Sequence, residues 1–111
     1  MRICDMIEFS SVVSLKDAED ACRRGHLTKA LLLPSELGGQ DRPENVVYIP
    51  PHISEMKSSS TAELLSAIRG GMSDVAIVPE YRGTSFVPAR ITITAAIPGM
   101  PPGYKLEIGI W

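Results

Sequence analysis

The clearest pattern in the chain is a two-residue alternation, in which Val87, Ala89, Ile91, Ile93, Ala95 and Ile97 alternate with Pro88, Arg90, Thr92, Thr94 and Ala96. This is the repeat of a β-strand with one buried face, so it predicts Ile91 and Ile93 inside and Arg90, Thr92 and Thr94 facing water or a partner. Residues 74–81 precede it as a second apolar run. Tyr104, Leu106, Ile108 and Ile110 alternate after it. Gly83 lies in the first connection and Pro98 to Gly103 form the second, which together predict an antiparallel meander of three strands.

Upstream the period changes. Ser14 followed by Asp17 is a capping signal, and Leu15, Ala18 and Cys22 recur at helical spacing before Gly25, predicting a helix over 12–24. Residues 2–9 read as a strand. Thr28 to Leu33, ending at Pro34, and Asn45 to Ile49, ending at Pro50-Pro51, read as two further strands. The turn-forming residues Gly38, Gly39, Asp41 and Pro43 between them predict an ordered loop over 34–44. From Ile53, the residues Met56, Leu64, Leu65 and Ile68 keep a rough 3.6 period up to Gly70-Gly71, with Ser58-Ser59-Ser60 interrupting it. The expected fold is therefore α+β: an N-terminal helix, two short strands and a helix, then the three-stranded antiparallel meander, all in one domain spanning 1–111.

Composition narrows the function classes. The chain has 111 residues, of which 44% are apolar and 22% charged, enough for one packed core. Eleven basic against thirteen acidic residues give a net charge of −2, and only Arg23 and Arg24 are adjacent cations, so nucleic acid is not an expected partner. Charges at positions 2, 5 and 8 leave no apolar run of signal-peptide or bilayer-spanning length. A cytoplasmic location without membrane association is expected, and with it free thiols at Cys4 and Cys22.

Candidate chemistry is sparse. His26 and His52 stand alone without metal-ligand spacing, so no metal and no other cofactor is expected. His26 after Gly25 suits a helix C-terminus, and His52 suits the surface or a helix start. No serine sits in a Gly-x-Ser-x-Gly elbow, and neither glycine doublet opens a phosphate-cradling helix.

One stretch is similar to a known family. Leu31-Leu32-Leu33-Pro34, Gly38-Gly39, Asp41, Pro43 and Asn45-Val46-Val47 resemble the His-Leu-Ile-Pro, Gly-Gly and Asn-Leu-Val-Pro segments of the DNA/RNA non-specific endonucleases. These are ββα-metal nucleases often found as bacterial toxin domains, and the residues from Tyr81 to Pro88 resemble their later strand pair. The resemblance covers about 28–97 and implies a bacterial protein in which Asn45 is the metal-site asparagine. By the register of the glycine pair, however, the general-base histidine falls on Leu31. Leucine takes no proton from water, and losing such a base forfeits about 10² to 10⁴ in rate. Arg24-Gly25-His26-Leu27 repeats the family's Arg-Gly-His-Leu signature in a different register, which leaves His26 and Asn45 as the residues of a divergent nuclease. The same stretch also reads without any chemistry: Leu31 to Leu33 in a core, Gly38-Gly39 supplying positive φ, and the Asn45 amide capping a strand.

The leading expectation is a non-catalytic protein-binding or regulatory module, with the metal-dependent nuclease as the alternative. Tyr81, Arg82 and Phe86 around Gly83 are the candidate binding residues, because aromatics and arginine concentrate at interface hot spots. A homodimer through the run from Tyr104 to Trp111 is also expected, with Trp111 as its anchor.

Overall fold

A computed structural model describes residues 9–111. The strand expected at 2–9 and the thiol of Cys4 lie outside the described residues, apart from Phe9, which begins a short 3-10 turn (Phe9–Ser11). The element order is α1 (Leu15–Arg23), β1 (Thr28–Leu31), β2 (Val46–Ile49), α2 (Pro51–Arg69), β3 (Asp74–Tyr81), β4 (Pro88–Ala96) and β5 (Tyr104–Gly109). This is the expected α+β arrangement of helix, two short strands, helix and meander.

Helix α1 starts at Leu15 rather than 12 because its cap fixes it there. The Asp17 N–H donates to Ser14 Oγ at 3.1 Å, and the Val13 N–H donates to Asp17 Oδ2 at 3.2 Å. One orphan donor of the first turn is thereby satisfied, and the Asp17 carboxylate in return accepts the N–H just upstream of the cap. The helix buries its alanines, Ala18 and Ala21, and leaves Leu15 half-exposed.

Strands β1 and β2 pair antiparallel, with Lys29 opposite Tyr48 and Ala30 opposite Val47. Both faces of β2 pack against apolar neighbours, one of them incompletely, which explains its unbroken apolar run. Val47 and Ile49 join the main core with Ile53 and Leu64 of α2, Ile91, Ile93 and Ala95 of β4 and Ile108 of β5. Tyr48 and Val46 face a second cluster built on Val12, Ala18, Ala21, Leu27 and Val87. The two-stranded ladder is thus the partition between the two clusters.

Where β1 leaves its ladder, side chains take over the backbone. Asn45 Oδ1 accepts from the Leu33 N–H at 2.8 Å, while its Nδ2 donates to the carbonyls of Leu33 (3.1 Å) and Gln40 (3.0 Å). Lys57 Nζ donates to the carbonyls of Leu31 and Leu32 at 2.6 and 2.7 Å. Backbone groups at this half-buried strand end therefore all find partners, as burial requires. Gly38 turns the loop at φ 90°, and a Cβ on Gly39 would stand 1.7 Å from the Leu33 carbonyl oxygen. The doublet supplies one positive φ and one close approach.

Helix α2 runs straight through Ser58-Ser59-Ser60, which the sequence pattern treats as an interruption. The Ser60 hydroxyl donates back to the Lys57 carbonyl at 2.6 Å, so it replaces a competing partner with a helical one. The buried stripe is Ile53, Lys57, Ser60, Thr61 and Leu64, whereas Met56, expected on the apolar face, is 52% exposed.

The meander has the order β3-β4-β5, with Ile77 opposite Ile93 and Ile91 opposite Ile108. Ile91 and Ile93 are buried, Arg90 is exposed, and Thr92 and Thr94 are half-exposed, in agreement with the alternation. Ile97 breaks the pattern: β4 ends at Ala96 and Ile97 is exposed in the following turn. On the outer face Arg90 Nε and Nη2 donate to the two Glu80 oxygens at 2.8 and 2.9 Å, a bidentate surface pair.

Trp111 is half-buried against its own chain rather than wholly exposed. Its Nε1 donates to the Val87 carbonyl at 3.0 Å, its ring meets Phe9 edge-on at 5.9 Å, and the Arg82 guanidinium lies 5.1 Å above it. The indole is used within the chain. Strand β5 does form an outer edge of its sheet. Among the described residues no helix is long and apolar enough to cross a membrane.

Candidate functional site

The second face of the β1–β2 ladder is not completely covered by α1, and the connection between β3 and β4 approaches it from the other side. Between them lies a cleft of about 730 Å³. Leu15 and Glu19 of α1 form one wall, Lys29 and Tyr48 the floor, and Tyr81 and Phe86 the opposite wall.

Hydrogen bonds to the N-terminal segment hold the aromatic wall in place. The Phe86 N–H donates to the Val12 carbonyl at 2.7 Å, and Ser85 Oγ donates to the Phe9 carbonyl at 2.6 Å. Ser85 Oγ also accepts the Val87 N–H at 3.0 Å. The inward groups of this connection are thus spent on the N-terminal turn, and Phe86 and Tyr81 are left 38% and 46% exposed over the cleft. Arg82 goes the other way, onto Trp111, so Tyr81 and Phe86 share this cleft, whereas Arg82 lines, together with Tyr81, a separate groove beside Trp111.

The polar groups of the cleft are mixed in sign. Lys29 Nζ pairs with Asp41 Oδ2 at 3.0 Å across its rim, and this hydrogen bond raises the lysine pKa. Glu19 faces the same space and takes part in no ion pair among the described residues. Burial raises the pKa values of the Tyr48 and Tyr81 hydroxyls above the ordinary tyrosine range. They are therefore neutral donors at physiological pH rather than nucleophiles. Apolar walls with a few convergent polar groups are the usual makeup of a recognition site.

His26 and Asn45 are not brought together. His26 precedes β1 and Asn45 precedes β2, at opposite ends of a ladder four residues long, roughly 13 Å at about 3.3 Å per residue. The Asn45 amide is engaged at both atoms by the loop it closes. Leu31 is half-buried in β1, and His52 is exposed in the first turn of α2. Among the described residues no group of three or more His, Cys, Asp or Glu side chains is placed to hold a metal ion. The Cys22 thiol is free, with its pKa raised chiefly by burial and further by Glu19.

Lys57 escaped the sequence reading. It is 5% exposed, and burial pushes its pKa below the ordinary lysine value. The signal was present: Ile53, Lys57, Ser60, Thr61 and Leu64 share one helical face, a polar interruption in an apolar stripe. No family profile matches the chain, and neither a curated protein nor a solved structure matches it.

Proposed function

We propose that the chain is a non-catalytic protein-binding module that recognises a short extended segment of a partner in the cleft between α1, the β1–β2 ladder and the β3–β4 connection. The observation that carries this reading is the pair of exposed aromatics over a concave apolar surface, Tyr81 at the end of β3 and Phe86 on the hydrogen-bonded connection that follows it. Rigid aromatics contribute contact area at low entropic cost, which is why they dominate binding hot spots. Glu19 adds a carboxylate that makes no ion pair among the described residues, so the segment that fits best carries an apolar side chain next to lysine or arginine.

Selection from a random peptide display library against the immobilised chain tests this. Enriched peptides are expected to combine an apolar with a basic residue. Phe86→Ala should weaken them by about 30-fold, the equivalent of a 2 kcal/mol hot spot, whereas Met56→Ala on α2 should leave binding unchanged. No enrichment, or equal binding by Phe86→Ala, contradicts the proposal.

The nuclease reading requires His26 and Asn45 to share a divalent ion, and their placement at opposite ends of the ladder favours the binding module instead. Incubation with plasmid DNA or RNA and Mg²⁺, Mn²⁺ or Zn²⁺ is expected to give no cleavage above background. Metal-dependent cleavage that disappears on His26→Ala would reverse the ranking of the two readings.

A further inference from the structure

A smaller cavity of about 270 Å³ opens between β1, the loop that follows it and α2, with no residue of the aromatic wall in its lining. Lys57, Ser54 and Ser58 of α2 line it, with Lys29 at one rim and Glu36 of the loop at another. Unlike the cleft it is defined by polar side chains, and the most deeply placed of them is a cation.

A lysine ammonium has three N–H donors and no acceptor. Two donors of Lys57 are spent on the Leu31 and Leu32 carbonyls, at the short lengths of charge-assisted hydrogen bonds. Both acceptors are neutral, and Lys57 makes no ion pair among the described residues. A buried charge without a counter-charge is costly, so a fold that keeps one gains by having an anion to bind. Among the described residues the third donor has no acceptor, and the hydroxyls of Ser54 and Ser58, three residues before Lys57 and one after it, make no hydrogen bond.

The internal carboxylates do not fill this role. Glu36 influences Lys57 electrostatically and supports its charged form, but it lies beyond ion-pair distance and accepts from Ser35 Oγ at 3.2 Å instead. Asp41 is taken by Lys29.

We propose that this cavity binds a small oxyanion of the phosphate class, with Lys57 as its charge partner and Ser54 and Ser58 as additional donors. Donors converging from a lysine and two hydroxyls suit a tetrahedral group with several oxygens better than a planar carboxylate with two. The cavity also holds roughly nine water volumes at about 30 Å³ each, more than a bare ion needs, so it has room for an organic remainder. Free phosphate and a phosphomonoester share the recognition chemistry.

Titration calorimetry at constant ionic strength tests the site with three probes: inorganic phosphate, phenyl phosphate and acetate. Phosphate or phenyl phosphate is expected to bind with a dissociation constant of about 1 mM or below, and acetate about tenfold more weakly. The tighter of the first two identifies the free ion or the ester as the ligand type. Ser58→Ala, at an exposed position, should weaken binding several-fold without changing the melting temperature. Glu36→Gln removes an opposing charge and should tighten it several-fold. Lys57→Met should abolish it, and the two surface variants keep the test decisive if that variant fails to fold. No saturable binding up to about 20 mM, acetate binding more tightly than both phosphates, or affinity unchanged in both Ser58→Ala and Glu36→Gln would overturn the proposal.

Discussion

Truncation of Ile91 to alanine is expected to lower stability by about 2–5 kcal/mol, and truncation of its neighbour Thr92 by less than about 1 kcal/mol. Ile91 is fully buried in the central strand of the meander, paired with Pro79 on β3 and Ile108 on β5 and in contact with the core that α2 closes. Its removal leaves a cavity in the layer where sheet, helix and ladder meet, and neighbours on three elements must shift to fill it. Thr92 points to the opposite face, beside exposed Glu107. Urea unfolding separates the two cases. With a slope of about 2 kcal/mol per molar, the Ile91→Ala midpoint should fall by about 1–2.5 M and the Thr92→Ala midpoint by less than about 0.5 M. Equal small shifts would reject the assigned face.

Gly39→Ala should cost about 3 kcal/mol, the upper part of the range for forced overpacking. The added Cβ would meet the Leu33 carbonyl oxygen at 1.7 Å and the Asn45 amide nitrogen at 3.0 Å, so the loop must open and release the Asn45 hydrogen bonds. Gly109→Ala is the control, since a Cβ there meets open space, and it should change stability by less than about 0.5 kcal/mol. Amide exchange at Leu33 gives the local signature. The mutation should accelerate it far more than exchange at Ile93, whereas an unchanged Leu33 amide would mean that the loop does not depend on this contact.

The fold was legible wherever one face of an element repeats. Alternation at 87–97 identified β4 and its buried isoleucines, and the Ser14–Asp17 pair located the start of α1 to within a few residues. The serine triplet was misleading, because serine disfavours a helix interior only when its hydroxyl draws the backbone elsewhere, and Ser60 bonds back within the helix. The partial burial of Trp111 was illegible for a different reason. Its position at the end of an edge strand suggested exposure, but the acceptor for its indole N–H is the Val87 carbonyl, 24 residues upstream, and such a contact leaves no trace in local pattern.

The candidate site was legible only in its residue types. Tyr81, Arg82 and Phe86 were singled out as a cluster, yet the direction each takes depends on the hydrogen bonds of Ser85 and Phe86 to residues 9 and 12. The floor of the cleft comes from the second face of β2, and Glu19 from a helix whose packing angle no local spacing encodes. Lys57 was the readable omission: a lysine on the apolar stripe of α2 signals a buried partner, and its partners are the carbonyls that β1 exposes on leaving its ladder.

Backbone amide chemical-shift mapping of the intact chain, titrated with the best peptide from the display selection, tests the assignment of the cleft most directly. The account predicts that the largest saturable shifts fall on Glu19, Lys29, Tyr48, Tyr81 and Phe86, with the outer face of β3–β5 around Thr92 and Glu107 unmoved. Shifts concentrated instead along the β5 edge or on the exposed face of α2 at Met56 would contradict it.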